Sequence, residues 1–296
     1  MPTNVKIILN AHGGLLKRQA KIDLVEQALQ TVSLDYQLAI TEHPDHGLAL
    51  AKQAAWEGWP VVVAAGGDGT INEVVNGLMQ ADPAEQRSTL GIIPLGTGND
   101  LSDALAIPRD VTGACRRLAE GNTRLIDLGL VNDRYFANNS AVGLEPVVTV
   151  AQNEMRYAGS SRYMLAAIKT ILTAQPWSMR IKWDHGIYEG PVTLVSIGNN
   201  TRTGGAFYMT PKACLDDGLL DFVYGIGMSR WQLLRLLPKT LSGQHINHPL
   251  VTYQQTKTLS ITATPPTPIH ADGEVFDRQA VEINYQIFPK KLRVII

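Results

Sequence analysis

The sequence predicts two domains: an α/β N-terminal domain on a parallel sheet (residues 1–123), then a mainly antiparallel β domain (residues 124–296). Three observations carry this. The chain's 296 residues exceed what one hydrophobic core usually organises. The first part alternates short apolar runs with helix-compatible segments, β-α-β-α-β-α-β, a pattern that implies right-handed crossovers and a ligand at the carboxyl ends of the strands. From about Arg124 the character changes to closely spaced β-rich runs, for which antiparallel pairing is expected.

The first domain is organised around Pro60–Gly77, PVVVAAGGDGTINEVVNG. Val61 to Ala65 read as a strand buried on both faces. Gly66, Gly67 and Gly69 free the backbone of Cβ atoms, so N–H groups can approach phosphate oxygens. Thr70 opens a helix whose positive end faces the same anion. A carboxylate gains nothing from facing a bare phosphate, so Asp68 suits Mg²⁺ held directly or through water. Gly-Gly-Asp-Gly also suits a tight turn that happens to carry an acid. The stretch is neither a Rossmann fingerprint nor a Walker P-loop.

In chain order, Val5–Leu9 is a first strand ended by Asn10, Ala11, His12, Gly13 and Gly14. Ile22, Val25, Leu29 and Val32 mark the inner face of a helix, and Tyr36–Ile40 a second strand ending at Thr41. A helix over 46–57 precedes the central strand. A polar loop, 82–88, leads to a fourth strand, Leu90–Ile93, and then to PLGTGND (Pro94–Asp100). Helices follow, one carrying Leu101, Leu105 and Ile107, the next near 111–119. Three polar loops, 10–14, 66–72 and 96–100, thus meet at one inferred sheet edge. In the second domain, Arg124–Val131, an Asn132-Asp133 turn and Tyr135–Val142 read as a hairpin. Further β runs lie at 179–183, 188–197, 219–226, 258–264, 281–285 and 291–296. Two helices interrupt them: 162–172, and 230–241 with Trp231, Leu234 and Leu237 on one face.

Composition excludes several classes. With 26 Lys and Arg against 27 Asp and Glu, no basic surface is dedicated to nucleic acid. Cys115 and Cys214 form no C-x-x-C pattern, which points to a reducing compartment without a zinc site or disulfide framework. No run approaches ~18 apolar residues, and the start lacks a signal peptide's apolar core, so the expectation is a cytoplasmic protein whose membrane contact is peripheral.

GGDGTINEVVNGL, PLGTGND, SIGNNTRTGGAFYMTPKACLDDGLLD and HADGE together resemble bacterial diacylglycerol kinase-related lipid kinases of the YegS type, relatives of sphingosine and ceramide kinases. GGDGT alone is shared with NAD kinases; GTGND followed by DDGLLD and DGE is more selective. Where the family commonly has proline after the first loop's asparagine, this chain has Ala11.

The resemblance implies an NAD kinase/diacylglycerol kinase-like nucleotide domain, a C-terminal β-sandwich lipid-substrate domain and catalysis between them. It puts ATP against Asn10, Ala11, His12, Gly13, Gly14 and Thr41. Gly66, Gly67, Asp68, Gly69, Thr70, Ile71, Asn72 and Glu73 follow, then Thr97 and Asn99. Asp68 would serve catalytic Mg²⁺, and Asp100 would position a hydroxyl or metal-bound water, although Asp100 also suits a helix N-terminus. Glu274 falls at the family's general-base position; Asp272-Gly273 equally suits a hairpin turn. Asp217 resembles a structural Mg²⁺ ligand, with the carbonyls of Cys214 and Leu219. The implied activity is transfer of the ATP γ-phosphoryl group to a lipid hydroxyl, on diacylglycerol or a related lipid such as phosphatidylglycerol. Helix 230–241, or the Arg156, Arg162 and Lys169 region, would touch anionic membrane; core packing plus a solvated face is the alternative. An NAD kinase-like small-molecule kinase and a non-catalytic nucleotide or lipid sensor are the competing functions, and a homodimer is left open.

Overall fold

The computed structural model describes residues 4–12, 18–32, 34–81, 88–154 and 162–296. The chain divides into one unit of residues 1–128 with 289–296 and a second of residues 129–288. The expected boundary at 123/124 falls at the start of a continuous strand, and the last eight residues, expected with the second domain, belong to the first unit.

The first unit contains β1 (Asn4–Leu9), α1 (Arg18–Gln30), β2 (Asp35–Ile40), α2 (His46–Trp56), β3 (Val61–Gly66), α3 (Asp68–Ala81), β4 (Thr89–Pro94), α4 (Asp100–Ala104), α5 (Val111–Glu120) and the start of β5 (Thr123–Val131). β1 pairs in parallel with β2 and β3, β3 in parallel with β4, and Val294 joins the far side of β4. All six residues of β3 are buried, which explains its unbroken apolar run. The inner face of α1 is Lys21, Val25, Ala28 and Leu29; Ile22 is half-buried and Val32 lies past the helix end. The helix expected to carry Leu101, Leu105 and Ile107 stops after five residues, because Ala106 turns the backbone to φ 54°.

The second unit continues with β6 (Arg134–Phe136), β7 (Asn139–Gly143), α6 (Leu144–Glu154), α7 (Arg162–Thr173), β8 (Trp177–Trp183), β9 (Gly186–Gly198), β10 (Leu220–Ile226), α8 (Arg230–Thr240), β11 (Val251–Thr256), β12 (Thr258–Ala271) and β13 (Glu274–Ile295). Its ladder is antiparallel in the order β11-β10-β9-β7-β12-β13. β8 runs beside the ends of β9 and β12 that β7 leaves free. Phe136, Ile181, Val195, Phe222, Ile261 and Ile283 belong to its core, and α6, α7 and α8 build a separate apolar cluster around Leu144, Ile171 and Leu233.

Several local expectations change here. The run 135–142 breaks into β6 and β7. Helix α6 was not anticipated, because Pro146 and its valines weaken the helical signal; proline is tolerated in a first turn. The buried face of α8 is Leu233, Leu236 and Thr240, while Trp231 is 71% exposed. β12 and β13 absorb several short runs into one long hairpin with register shifts.

One glycine fixes how α2 and α3 meet. A Cβ on Gly77 would lie 2.3 Å from the Leu48 carbonyl oxygen and 2.7 Å from the Ala51 Cβ. Alanine would favour the helix by about 1 kcal/mol, but overpacking of this kind costs about 1–3 kcal/mol, and the obstacle is backbone. Gly77→Ala is therefore expected to lower the urea midpoint of unfolding; an unchanged or raised midpoint would show that the helix pair slides apart freely.

Candidate active site

In the first unit the parallel ladder runs one step past the strand ends: Asn10 N–H donates to Ala65 O (2.9 Å), Thr41 N–H to Leu9 O (3.0 Å) and Leu95 N–H to Gly66 O (2.8 Å). The loops after β1, β3 and β4 therefore start level at one sheet edge. Asn10 Nδ2 donates to Thr70 Oγ1 (3.1 Å), and Asn10 Oδ1 accepts from His12 N–H (3.0 Å). Ala11, Thr41 and Thr70 are buried, and His12 is exposed. Gly13 and Gly14, expected beside them, lie outside the described residues, as does Arg156. The Lys21 ammonium donates to His12 O (3.3 Å); burial holds its pKa below the ordinary lysine value. Nothing in the sequence marks this buried lysine.

The glycines serve protein contacts first. A Cβ on Gly96 would lie 2.5 Å from Gly67 Cα, and one on Gly66 would lie 2.3 Å from Thr70 Oγ1. Two loop backbones touch where side chains would separate them. Asn99, in the left-handed region at φ 56°, clamps the second loop by accepting from Gly96 N–H (3.1 Å) and donating to Gly96 O (2.9 Å). Thr97 stands exposed between them.

The two acids of α3 are helix caps. Asp68 Oδ2 accepts from Asn99 N–H (2.8 Å) and Oδ1 from Asp100 N–H (2.9 Å), so it closes the start of α4. Glu73 accepts from Asp45 N–H (3.1 Å) and Gly47 N–H (2.9 Å), closing α2. A Cβ on Gly47 would lie 2.4 Å from Glu73 Oε2. Ile71 and Asn72 are buried in α3, so any contact with a nucleotide would come from their backbone. α3's own first-turn N–H groups, from Gly67 to Thr70, have no acceptor within the helix. Asp100 is 5% exposed.

In the second unit, Asp272 and Gly273 have φ 47° and 82° and join Ala271 to Glu274 as a two-residue turn of the I′ kind. Asp272 is buried, and its carboxylate accepts from Ala137 N–H (3.0 Å), Asn138 N–H (2.8 Å) and Asn139 N–H (3.0 Å). This capture ends β6 and redirects the chain into β7. Around it, Asn199 Nδ2 donates to Ala137 O (2.9 Å) and Asn200 Nδ2 to Asn138 Oδ1 (2.9 Å). Glu274 is exposed. Asp217 is exposed too, and its Oδ1 accepts from Leu219 N–H (3.0 Å); Cys214 directs its thiol to Asp216 Oδ1 (3.3 Å). No cluster of three His, Cys, Asp or Glu side chains placed to hold a metal occurs among the described residues.

An apolar cavity of about 90 Å³, open at its mouth, lies among α6, α7, α8 and the sheet, lined by Leu144, Ile171, Met228, Leu236 and Val251. Buried Glu145 and His245 also line it. Glu145 Oε1 accepts from Asn139 Nδ2 (3.2 Å) and lies 3.3 Å from His270 Nε2. His245 Nε2 lies 3.1 Å from Met209 O, and burial lowers its pKa from 6.5. Sequence reasoning missed both residues, since neither Leu144-Glu145-Pro146 nor Gln244-His245-Ile246 stands in a motif that marks a buried site.

Residues 4–131 match the diacylglycerol kinase catalytic domain family, and residues 139–296 match the YegS C-terminal NAD kinase beta sandwich-like domain family. A diacylglycerol kinase of Staphylococcus aureus (strain bovine RF122 / ET3-1) is 31% identical over 278 residues, 93% of this chain and 87% of the relative. That of strain MRSA252 matches to the same extent. The fold is shared with a crystal structure of a diacylglycerol kinase from Bacillus anthracis str. Sterne, with TM-score 0.81 and 24% identity over 99% of this chain and 96% of that one. Fold and motifs together define a phosphotransferase with a C-terminal β-sandwich-like domain. The chain belongs to the diacylglycerol kinase family, and it is a kinase.

Two outcomes follow from the geometry. Asp68→Ala strands two backbone donors, so it is expected to cost about 1–3 kcal/mol of first-unit stability as well as any ligand function; a melting temperature equal to wild type would show that water replaces the carboxylate freely. His245 titrates below its unfolded value. Between those two pKa values the unfolded state binds more protons, so the stability this residue contributes is present above about pH 6.5 and is lost as pH falls through the folded pKa. The stability gap between wild type and His245→Gln should therefore narrow from pH 7 to pH 5, and a constant gap would count against a neutral buried imidazole.

Proposed function

We propose that this kinase transfers the γ-phosphoryl group of ATP to the hydroxyl of a lipid. The observation that carries the reading is the pairing of two features: glycine loops held level at one sheet edge in the first unit, and an apolar cavity in the second. The first-turn amides of α3, with the loops at Asn10 and Gly96, hold the phosphates. Asp68 keeps those loops together, and its carboxylate would serve Mg²⁺ directly or through water. Bound Mg²⁺ would neutralise phosphate charge. Hard oxygens suit it, and the second unit offers Asp217 with the carbonyls of Cys214 and Leu219. Glu274 accepts the acceptor hydroxyl's proton as that oxygen attacks phosphorus. Its carboxylate is solvent-exposed and takes no hydrogen bond from a described residue, so its lone pairs are available.

A lipid acceptor is supported by the helices that wall the cavity. Neither α7 nor α8 contains an acidic residue. Their outer faces expose Leu165, Ile168, Leu172 and Trp231 beside exposed Lys169, Arg230, Arg235 and Lys239. An apolar ridge with basic flanks suits the surface of an anionic bilayer. No helix among the described residues is long and apolar enough to cross a membrane.

The reading is tested by labelled γ-phosphate transfer from ATP across a panel of diacylglycerol, phosphatidylglycerol, sphingoid base and NAD. Transfer to NAD alone would overturn it. Glu274→Gln should lower kcat by about 10²–10⁴ with ATP affinity unchanged by calorimetry; loss of both would make Glu274 a structural residue. Lys169→Glu combined with Arg235→Glu should weaken sedimentation with anionic vesicles by about 1 kcal/mol per charge removed, whereas unchanged sedimentation would place the membrane face elsewhere.

A further inference from the structure

Two imidazoles stack at the carboxyl end of β2. The rings of His43 and His46 have centroids 4.7 Å apart and lie within 11° of parallel. His43 is exposed and His46 half-buried, so the pair stands at the surface. Each ring is held by its own loop. His46 Nδ1 accepts from Glu42 N–H (3.1 Å). His43 Nδ1 lies 2.8 Å from Pro44 O; a carbonyl only accepts, so this nitrogen carries the hydrogen and donates it. Exposed side chains ordinarily hop between rotamers, whereas these two rings are fixed by stacking and by backbone. They belong to no cluster of metal-capable side chains among the described residues.

The pair lies beside the phosphate loops. Thr41 N–H donates to Leu9 O (3.0 Å), which starts this loop level with the loop after β1. Glu73 accepts from Asp45 N–H and Gly47 N–H, tying the two neighbours of His46 to α3. Glu73 is five residues on from Asp68, about 7.5 Å along the helix axis. With phosphates at the first turn of α3, a ribose bridges that gap. The opposite direction is filled by protein. On the β4 side the Gly96 backbone lies against Gly67, and Asp68 closes the start of α4. The sheet order β4-β3-β1-β2 therefore leaves the β2 side for the nucleoside.

We propose that the purine base of ATP stacks on the imidazole of His43, extending the His43–His46 pair to three rings. Every base has a π-face, so such a contact needs no hydrogen bond to the base edges. A ring already held in place loses little freedom when the base arrives, which favours binding. His46 is a positioning residue in this arrangement, backing His43 from the protein side. The proposal rests on the reading of the first unit as an ATP site, and it deepens that reading by assigning a partner to the base.

The test is calorimetry on the full chain with Mg²⁺, comparing ATP with inorganic tripolyphosphate, which has the phosphates and no base. His43→Ala should weaken ATP about tenfold, the size expected when a base loses one aromatic partner, and leave tripolyphosphate binding unchanged. That unchanged binding also certifies that the variant is folded. His43→Phe restores a ring without the imidazole nitrogens and should bind ATP within about threefold of wild type. Equal ATP affinity in wild type and His43→Ala overturns the proposal. So does a parallel loss of ATP and tripolyphosphate, which would make His43 part of the scaffold of the phosphate loops, and so does a His43→Phe protein as weak as His43→Ala. Wild-type protein that binds neither ligand would sink the ATP reading itself, an outcome distinct from an ATP affinity that does not depend on His43.

Discussion

Backbone N–H groups with no place in a ladder or helix must find acceptors, and in this protein carboxylates take them. Asp68 and Glu73 each hold two such groups, and Asp272 holds three. Each capture joins segments far apart in sequence. Asp68 ties the loop after β3 to the loop after β4, Glu73 ties α3 to the start of α2, and Asp272 ties the β12–β13 turn to the start of β7. A hydrogen bond to a charged group contributes roughly 1.5–3 kcal/mol, and at the starts of α2 and α4 the helix dipole adds to it. The loops keep their shape because these acids are already committed.

Glycines complete the arrangement by removing obstacles. Gly67 and Gly96 let two loop backbones touch, Gly47 makes room for the Glu73 carboxylate, and Gly77 lets α2 lie against α3. A glycine-rich phosphate loop is usually explained by the approach of the ligand to the backbone. Here the approach of backbone to backbone already demands glycine at several of the same positions.

Much of the first unit was legible because its signals are local. Apolar runs ending in glycine mark strand, loop and helix in order, and the helix over 46–57 and the strand at 90–93 were placed within a residue or two. The second unit was less legible because long-range contacts set its boundaries. The 135–142 run reads as one strand until Asp272, more than a hundred residues later, takes the amides of 137–139. Trp231 and Leu234 look like an inner helical face by spacing, yet the packing surface selected Leu233 and Leu236. The motif acids were recognisable as a set, but their caps depend on partners that no spacing reveals.

That division of labour bears on which acid can act as a base. A general base needs a lone pair free to receive a proton and a position the substrate can reach. Asp68 and Asp272 each hold two or more backbone amides, and Asp272 is buried as well. Asp100 is buried at the start of α4. Glu274 follows directly after the turn that Asp272 immobilises, and its own side chain is exposed. The buried acid fixes the turn and the exposed one is free to take a proton. An Asp-Gly-Glu triplet can therefore be a hairpin turn and an acid-base site at once, with the two functions carried by different carboxylates.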